Sequence, residues 1–414
     1  MSDRPLAGIK VLDLSRVLAG PWSTQILADL GADVIKIEVP GKGDDTRAWG
    51  PPFLHDADGN EEVSESAYYL CCNRNKRSVA VDLANPEGAA LIRALAEKAD
   101  IVVENFKVGG LKKYQLDYES LSALNPRLVY CSITGFGQTG PYTDRGGYDF
   151  VAQGMGGFMS ITGEAGGQPL RAGVAMADLS TGMYATVSIL AALRHAERTG
   201  EGQYLDVSLL DTQIAMLANQ SMNWLVGGIV PGRLGNRHPT VVPYKTFDVA
   251  DGIMIIAVGN DSQFRALCYE LGNAALADDP KFTTSRQRMI HRDEIEAIIQ
   301  DLVRGLKRDE LIDRLVACGV PTGPVNSIQE IFEDPFVEAR GAVHHFQRED
   351  GVTVPTVAFP PKMSKMEPRY DYRPPMIGEH SREATKEWLG LNETELDKLE
   401  NMGAINQLKN NSPA

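Results

Sequence analysis

The segment that most constrains the fold is the first forty residues, where a short apolar strand is followed by a helix and a second strand. Ile9 to Leu14 has the pattern of a strand, Gly20-Pro21 interrupts the chain, and a helix is predicted from about Trp22 to Leu30. Gly31 ends that helix, and Val34 to Glu38 is the next strand. A βαβ unit with so short a crossover is typical of a doubly wound parallel sheet. We therefore predict an α/β fold.

The turn after the first strand argues against a dinucleotide cofactor. A dinucleotide site in this class of fold places G-x-G-x-x-G at the first strand-to-helix turn. Here that turn reads VLAGPWSTQ. We therefore expect neither NAD nor FAD.

Two basic clusters lie beside later predicted strands. NRNKRS precedes the strand Val79 to Leu83, and NFKVGGLKKY follows the strand Asp100 to Glu104. The whole chain has a net charge of −14, which argues against nucleic acids and anionic membranes as partners. Local basic clusters in so acidic a chain favour a small anionic ligand. For NRNKRS, the solvated start of a strand is an equally good interpretation.

The chain is long enough for two domains, because 414 residues exceed the range in which one core keeps growing. Gly227-Gly228 and the turn RLGNRHP have the composition of a linker. One strand and three helices follow, so we predict a small domain at 228–328. We assign 1–227 to the first domain and expect 329–414 to return to it. The predicted elements after the linker are Ile253–Val258, Gln263–Leu271, Asp293–Leu306 and Arg308–Cys318.

Cysteine usage and apolar patterning indicate a cytoplasmic protein. The five cysteines have no metal-ligand or C-x-x-C spacing, so we expect reduced structural thiols and no metal. MSDRPLAGIK has no apolar signal-peptide core, and the apolar segment near Ile189 is expected to be too short to span a bilayer. The cysteines are Cys71, Cys72, Cys131, Cys268 and Cys318.

The stretch GVAMADLSTGM carries a single acid, Asp178, just before an apolar helical pattern at Tyr184 to Ala196. Two interpretations compete. Asp178 is either an N-cap whose side chain accepts free backbone N–H groups, or a nucleophile in a dry site with helix-terminal N–H groups nearby. The stretch alone favours the cap.

Several blocks of the sequence together resemble the class III CoA-transferases, the formyl-CoA and carnitine CoA-transferase family. The similarity runs from about Leu6 to Leu225 and returns more weakly near the C-terminus. The resemblance implies a Rossmann-like large domain built from both ends of the chain, a smaller α/β domain, and a ring-like chain in an interlocked homodimer. The blocks are LSRVLAGPW, KIEVPGKGDDTR, NRNKRSV, VENFK, SITGFGQTGPY, GYDFVAQ, ADLSTGMYA and TGEGQYLDVSLLD.

The same resemblance implies that Asp178 is the catalytic nucleophile. Three family residues are replaced here by Leu18, Val39 and Ala84, so we expect the CoA phosphates to be held by other basic residues (Arg47, Lys76, Arg77, Lys107 or Lys113). The implied CoA-binding residues are Leu18, Ala19, Arg47, Lys76, Val81, Asn105, Phe106, Lys107, Lys113, Gly146, Gly147, Tyr148 and Asp149.

The implied reaction moves CoA from an acyl-CoA to a carboxylic acid through an aspartyl anhydride and an aspartyl-CoA thioester. The CoA thioester is a substrate, and no covalently bound cofactor is expected. An aspartate needs no separate base, because it is expected to be ionised near neutral pH. Backbone N–H groups near Asp178 and in the glycine loop Gly135 to Gly147 are expected to bind the oxyanions.

The turn RLGNRHP bears on the choice of acid. Arg233, Arg237 and His238 suit a second carboxylate, although a solvent-facing or interface Arg237 is an equal alternative. The turn looks most like the branch that acts on short dicarboxylates such as succinate and glutarate. Alternatives are an oxalate- or formate-type CoA-transferase, a racemase of the same fold in which Tyr148 replaces a histidine, and a non-catalytic CoA-binding protein.

Overall fold

The computed structural model describes residues 4–406, which form two compact units. Within the described residues, the first consists of 4–158, 171–228 and 338–406, and the second of Met159–Leu170 and Ile229–Val337. The second unit includes 159–170, a segment that lies before the small domain expected at 228–328. Backbone contacts explain this, because Gly235 N–H donates to the Gly163 carbonyl and the Arg233 guanidinium donates to the Gly167 carbonyl.

Strands and helices alternate along the first unit as the sequence predicts. Two short 3-10 helices, Asp45–Ala48 and Lys112–Tyr114, lie in its loops. The strands are β1 Lys10–Asp13, β2 Asp33–Glu38, β3 Phe53–His55, β4 Glu61–Ser66, β5 Lys76–Val81, β6 Ile101–Glu104, β7 Val129–Thr134, β8 Gln203–Ser208, β9 Tyr244–Val249, β10 Gly252–Ala257, β11 Thr322–Pro324, β12 Val343–Gln347, β13 Thr353–Val357 and β14 Ile405–Asn406. The helices are α1 Ala19–Asp29, α2 Ala67–Leu70, α3 Pro86–Lys98, α4 Tyr118–Leu124, α5 Asp149–Met155, α6 Phe158–Ile161, α7 Met176–Thr199, α8 Leu209–Ala215, α9 Ala218–Gly227, α10 Asp261–Glu270, α11 Ala275–Asp278, α12 Ser285–Ile290, α13 Arg292–Val303, α14 Arg308–Ala317, α15 Ile328–Glu333, α16 Pro335–Ala339, α17 Ser381–Leu389 and α18 Glu393–Asn401.

The central sheet of the first unit has the order β14-β5-β2-β1-β6-β7-β8. β14 is antiparallel to β5, and the other pairs are parallel. The prediction of an α/β fold with a mainly parallel sheet is therefore confirmed. The chain moves outward from β1 in one direction and resumes at β6 in the other. In such a sheet ligands bind at the carboxyl ends of the strands flanking this reversal.

Core clusters lie on both faces of the sheet, and the central strands β6 and β7 are accordingly apolar along most of their length. Successive residues of β1 point to opposite faces, so Leu12 and Val11 belong to different core clusters. The Leu12 cluster includes Trp388 of α17, a helix from the end of the chain. The Val11 cluster includes Ile189 of α7. The C-terminal segment thus completes the core of the first unit.

The helix α7 is longer than the sequence indicated. It begins at Met176, eight residues before the apolar pattern at Tyr184, and it ends at Thr199. By length and composition it could cross a bilayer, so the expectation that this segment is too short was wrong. Half of its apolar window is buried. It packs closely on α1, since a Cβ added at Gly182 would lie 2.7 Å from the Ala19 carbonyl oxygen.

The second unit contains a three-stranded antiparallel sheet in the order β11-β10-β9. Its core joins Phe247 of β9 and Met254 of β10 to Phe264 of α10 and Ile299 of α13. In the first unit, the strand β8 is followed by two short helices, α8 and α9. All five cysteines are free thiols.

Candidate active site

A cleft of about 600 Å³ opens at the carboxyl ends of β1, β6 and β7 in the first unit. Loops after these three strands form most of its wall, together with the segment 143–148 and the first turn of α7. This is the point at which strand order reverses. The lining residues are Arg16, Val17, Leu18, Ala19, Asp45, Trp49, Asn105, Phe106, Lys107, Val108, Ile133, Thr134, Gly135, Phe136, Gly137, Thr143, Asp144, Arg145, Gly146, Gly147, Tyr148, Asp178 and Leu209.

Asp178 lies on this wall as the third residue of α7, and it does not cap the helix. The N-cap position is Ala175, whose side chain makes no capping bond. Asp149, the first residue of α5, takes that role with one carboxyl oxygen, which accepts the Ala177 N–H at 2.7 Å and the Asp178 N–H at 3.3 Å. The interpretation of Asp178 as an N-cap was therefore wrong.

The surroundings of Asp178 disfavour its charged form. Burial, and then the nearby Asp149, raise the pKa of Asp178 to about 7. The expectation of a carboxylate ionised near neutral pH therefore needs correction, because this pKa keeps part of the Asp178 population protonated there. Tyr68 of α2 also faces this acid. Burial and the charge of Asp178 raise the pKa of Tyr68, so its phenol stays neutral.

Eight of the residues implied for CoA binding line the cleft with Asp178: Leu18, Ala19, Asn105, Phe106, Lys107, Gly146, Gly147 and Tyr148. Asn105 joins the ends of β6 and β1, because its Oδ1 accepts the Arg16 N–H at 2.9 Å and its Nδ2 donates to the Arg16 carbonyl at 2.7 Å. Lys107 is exposed. Gly147 is required by a close approach of two backbones, since a Cβ there would lie 2.1 Å from the Gly135 Cα.

Three other implied CoA residues are inside the protein and line no part of the cleft. The Arg47 guanidinium donates to both carboxyl oxygens of Glu38, at 2.8 and 2.7 Å, and lies 3.7 Å from the Tyr69 ring centroid. Lys76 is fully buried and its Nζ lies 3.1 Å from Asp13 Oδ2. Val81 is buried where β5 pairs with β14. Assigning these three to CoA was wrong, because their side chains pack between the strands and the surrounding loops.

The cluster NRNKRS is thus neither a phosphate site nor a solvated surface. Each of its basic side chains pairs with a carboxylate: Arg74 with buried Asp29, Lys76 with buried Asp13, and Arg77 with partly exposed Asp33. All residues of β5 are buried. The expectation that Arg77 replaces a lost phosphate contact therefore does not fit its place in the fold.

A buried ion pair that contacts a residue of the cleft lining was not predicted. Lys36 Nζ lies 2.9 Å from Asp44 Oδ2 and donates to the Ser15 carbonyl at 2.9 Å. Burial opposes ionisation, yet the pair with Lys36 lowers the pKa of Asp44 to about 2. Asp44 in turn accepts the N–H of Val17, a cleft residue with a positive φ of 72°. The charged letters inside the apolar strand VIKIE were the available sequence signal.

Two further assignments lie outside the cleft lining. The Lys113 side chain is exposed and its Nζ lies 4.6 Å from the Tyr114 ring centroid. Asp149 uses its carboxyl on α7, as described above. Four residues near Asp178 or on the cleft wall were missed: Arg16, Trp49, Tyr68 and Arg145. Arg16 and Trp49 could have been suspected, because they stand in or beside two of the quoted blocks.

The three residues implied for the acceptor acid are in the second unit and already make contacts there. Arg237 pairs with Asp293 at 3.1 Å and with buried Glu296 at 2.8 Å. His238 accepts the Thr240 N–H with its Nδ1 at 3.1 Å. Arg233 donates only to backbone carbonyls, and among residues 4–406 it has no carboxylate partner. Its positive charge is therefore the least neutralised of the three.

Comparison with known proteins gives consistent matches over almost the whole chain. The family model described as CoA-transferase family III matches residues 6–381. The chain is 55% identical over 383 residues to the succinate–glutarate CoA-transferase of Agrobacterium fabrum, covering 92% of this chain and 95% of that protein. It is 41% identical over 411 residues to the succinyl-CoA:glutarate CoA-transferase of Mus musculus, covering 98% and 91%. The crystal structure of a CAIB/BAIF family protein from Brucella suis matches with a TM-score of 0.83 at 48% identity, covering 94% of this chain and 100% of that one.

Proposed function

The chain belongs to CoA-transferase family III and is an enzyme of that class, and on this premise we propose that it moves CoA from succinyl-CoA to a short dicarboxylate such as glutarate. The observation that carries the proposal is the Asp178 carboxyl on the wall of a cleft at the reversal point of the sheet. The names of the two enzymes that are 55% and 41% identical support the choice of substrates.

In the proposed reaction, Asp178 attacks the thioester carbonyl, the C–S bond breaks, and CoA leaves as thiolate. The product on the enzyme is a mixed anhydride. The thiolate then attacks the Asp178 carbonyl carbon and releases the donor carboxylate, which leaves an aspartyl-CoA thioester. The acceptor carboxylate attacks the carbonyl carbon of that thioester, the C–S bond breaks, and a second mixed anhydride forms as CoA thiolate leaves. The thiolate then attacks the acceptor's carbonyl carbon, which gives the new acyl-CoA and releases the Asp178 carboxylate. No proton is gained or lost over the cycle. The one protonation requirement is therefore that Asp178 is ionised before the first attack.

CoA is proposed to bind along the cleft beside Asp178. Lys107 and Arg145 are exposed basic residues on its wall, and they are the best candidates for contact with the phosphates. Arg16 is also there, but its guanidinium lies 2.7 Å from Asp45. Hydrolysis of the anhydride is the obvious side reaction, so the bound thioester is expected to exclude water.

For the acceptor, we propose that Arg233 holds the carboxylate that does not react. Arg237 is a weaker candidate than the sequence suggested, because its guanidinium is already paired with Asp293 and Glu296. His238 remains a possible hydrogen-bond donor through its Nε2. A preference for dicarboxylates over butyrate that is lost in Arg233→Ala and retained in Arg237→Ala would support this order.

We further propose that the enzyme is a cytoplasmic, interlocked homodimer. One side of α7 supports an interface, because Met183, Tyr184 and Val187 are exposed at helical spacing. α9 also exposes Trp224 and Leu225. The free thiols support a reducing compartment.

The test is to incubate the purified protein with succinyl-CoA and glutarate and to follow glutaryl-CoA by mass spectrometry. Asp178→Asn should abolish transfer, and hydroxylamine added during turnover should modify Asp178 in the wild type. Asp211→Asn is the matched control, because Asp211 is also the third residue of a helix but is exposed and outside the cleft lining. Equal transfer by wild type and Asp178→Asn would disprove the mechanism.

A further inference from the structure

We propose that Asp149 is a positioning residue for the nucleophile, an inference that rests on the proposed function of Asp178. Asp149 begins α5, yet its carboxyl faces the first turn of α7. One oxygen accepts the N–H groups of Ala177 and Asp178. The backbone that carries the nucleophile is therefore held by a side chain from another helix.

A second residue fixes Asp149 in turn. Gln153, fully buried in α5, donates its Nε2 to the other Asp149 oxygen at 2.7 Å. Its Oε1 accepts the Ala172 N–H at 2.9 Å, in the segment that leads into α7. Both ends of the Gln153 amide and both Asp149 oxygens are therefore used within the protein. This leaves Asp149 little capacity for the CoA contact that the resemblance implied.

The same arrangement sets the charge around Asp178. Free N–H groups at a helix start normally stabilise a carboxylate, but here Asp149 takes those of residues 177 and 178. Asp178 receives a negative neighbour in addition to its burial. A carboxylate kept basic in this way is a stronger nucleophile once ionised.

Other titratable groups near Asp178 have to be considered in any test that varies pH. Tyr68 of α2 faces it and is neutral. The remaining charged side chains of the cleft wall are Arg16, Asp45, Lys107, Asp144 and Arg145. Burial and Asp149 are the causes that act on the pKa of Asp178, so Asp149 is the group to change.

Two substitutions separate position from charge. Asp149→Asn keeps an oxygen that can accept the two N–H groups but removes the negative charge, so the acidic limb of kcat/KM should move to lower pH by roughly one unit. Asp149→Ala removes both, and misplacement of the nucleophile should lower kcat by roughly 100-fold. The KM for succinyl-CoA should stay within about twofold of wild type, because uniform substrate binding is not removed.

A stability measurement tests the charge without relying on turnover. The pKa of Asp178 is raised from 3.8 to about 7 on folding, so between these values only the unfolded chain loses its proton and wild-type stability falls as pH rises. Asp178→Asn should therefore gain in melting temperature over wild type from pH 4 to pH 7, then level off. In an Asp149→Asn background this gain should shrink. Asn392→Ala, which removes the cap of α18, is the control for lost capping alone.

These readouts distinguish the inference from the proposed function. One outcome is that the wild type shows no CoA transfer, yet the gain in melting temperature caused by Asp178→Asn is smaller when Asp149→Asn is also present. This outcome would reject the proposed function and retain the action of Asp149 on Asp178. An active wild type whose acidic limb and kcat are unchanged in both Asp149 variants would overturn the inference. A fall in melting temperature alone, as for Asn392→Ala, would likewise reduce Asp149 to a helix cap.

Discussion

Asp178 is a carboxyl group at a helix start that does not receive the usual stabilisation of that place. An exposed acid in the first turn of a helix gains from the partial positive charge of free N–H groups. Asp149 takes these donors, and partial burial on the cleft wall further disfavours the charged form of Asp178. The sequence block ADLSTGM indicates which acid is the predicted nucleophile. It cannot indicate the environment of that acid, because Asp149 comes from a different helix.

The raised pKa predicts a rate that depends on pH well above the ordinary range of a carboxylic acid. The reacting form is the carboxylate, so kcat/KM should rise about tenfold per pH unit up to about pH 7 and then level off. The measurement is the initial rate of glutaryl-CoA formation between pH 5 and 9. Succinate and glutarate are ionised over most of this range. An acidic limb at pH 4 to 5 would contradict a buried, like-charged environment for Asp178.

Strand β5 is an element that the sequence predicts while leaving its role open. The sequence predicts this strand at Val79 to Leu83, whereas the structure places β5 at Lys76–Val81, so that Lys76 and Arg77 belong to the strand itself. The partner of Lys76 is Asp13, which is 63 positions away in the chain. Only the parallel order β5-β2-β1 brings these two strands into reach of one another. Local charge counts therefore cannot distinguish a buried ion pair from a phosphate site.

Lys76 and Lys107 should respond to substitution in opposite ways. Lys76→Met leaves Asp13 buried beside Lys36 alone, and breaking a buried pair costs about 3–5 kcal/mol of folding stability. Lys107→Ala removes an exposed cleft charge, so the KM for succinyl-CoA should rise several-fold with little change in melting temperature. Denaturant unfolding and steady-state kinetics on both variants test this. A stable Lys76→Met protein with a selectively raised KM would restore Lys76 to the CoA site.

The contact of α7 with α1 links packing to the cleft. A Cβ at Gly182 would lie 2.7 Å from the Ala19 carbonyl oxygen and 3.2 Å from the Trp22 side chain, so the backbone must move. Gly182→Ala should destabilise the protein by about 1–3 kcal/mol and lower kcat/KM, because Ala19 lines the cleft. Gly173→Ala is the control, since a Cβ there meets nothing within 4 Å. Equal stability and kinetics for the two variants would show that α1 can move to accommodate the added Cβ without a loss of folding stability or activity.

At the level of the whole chain, a mainly parallel sheet and the return of the C-terminal segment were expected from the sequence, whereas the strand order comes only from the structure. Apolar strands alternating with helices predict the parallel sheet. Trp388 of α17 belongs to the Leu12 cluster of the first unit, which agrees with a C-terminal segment that returns to this unit. The place of 159–170 in the second unit could not be predicted. It depends on the backbone contact of Gly163 with Gly235, which are separated in the chain by three helices and the strand β8.

The exposed apolar side of α7 predicts the assembly state. Met183, Tyr184 and Val187 leave about half or more of their surface exposed, and burying such side chains contributes about 1.5–3 kcal/mol each. Light scattering should give twice the chain mass of 45.1 kDa. Val187→Glu should lower the dimer fraction and the transfer activity together. Val316→Glu, at an apolar residue of α14 with similar exposure, should leave both unchanged.

If the two chains interlock, tagged and untagged dimers mixed under native conditions should not exchange subunits, and they should do so only after unfolding and refolding. A monomeric wild type with full activity would contradict the dimer, and rapid native exchange would contradict the interlocking.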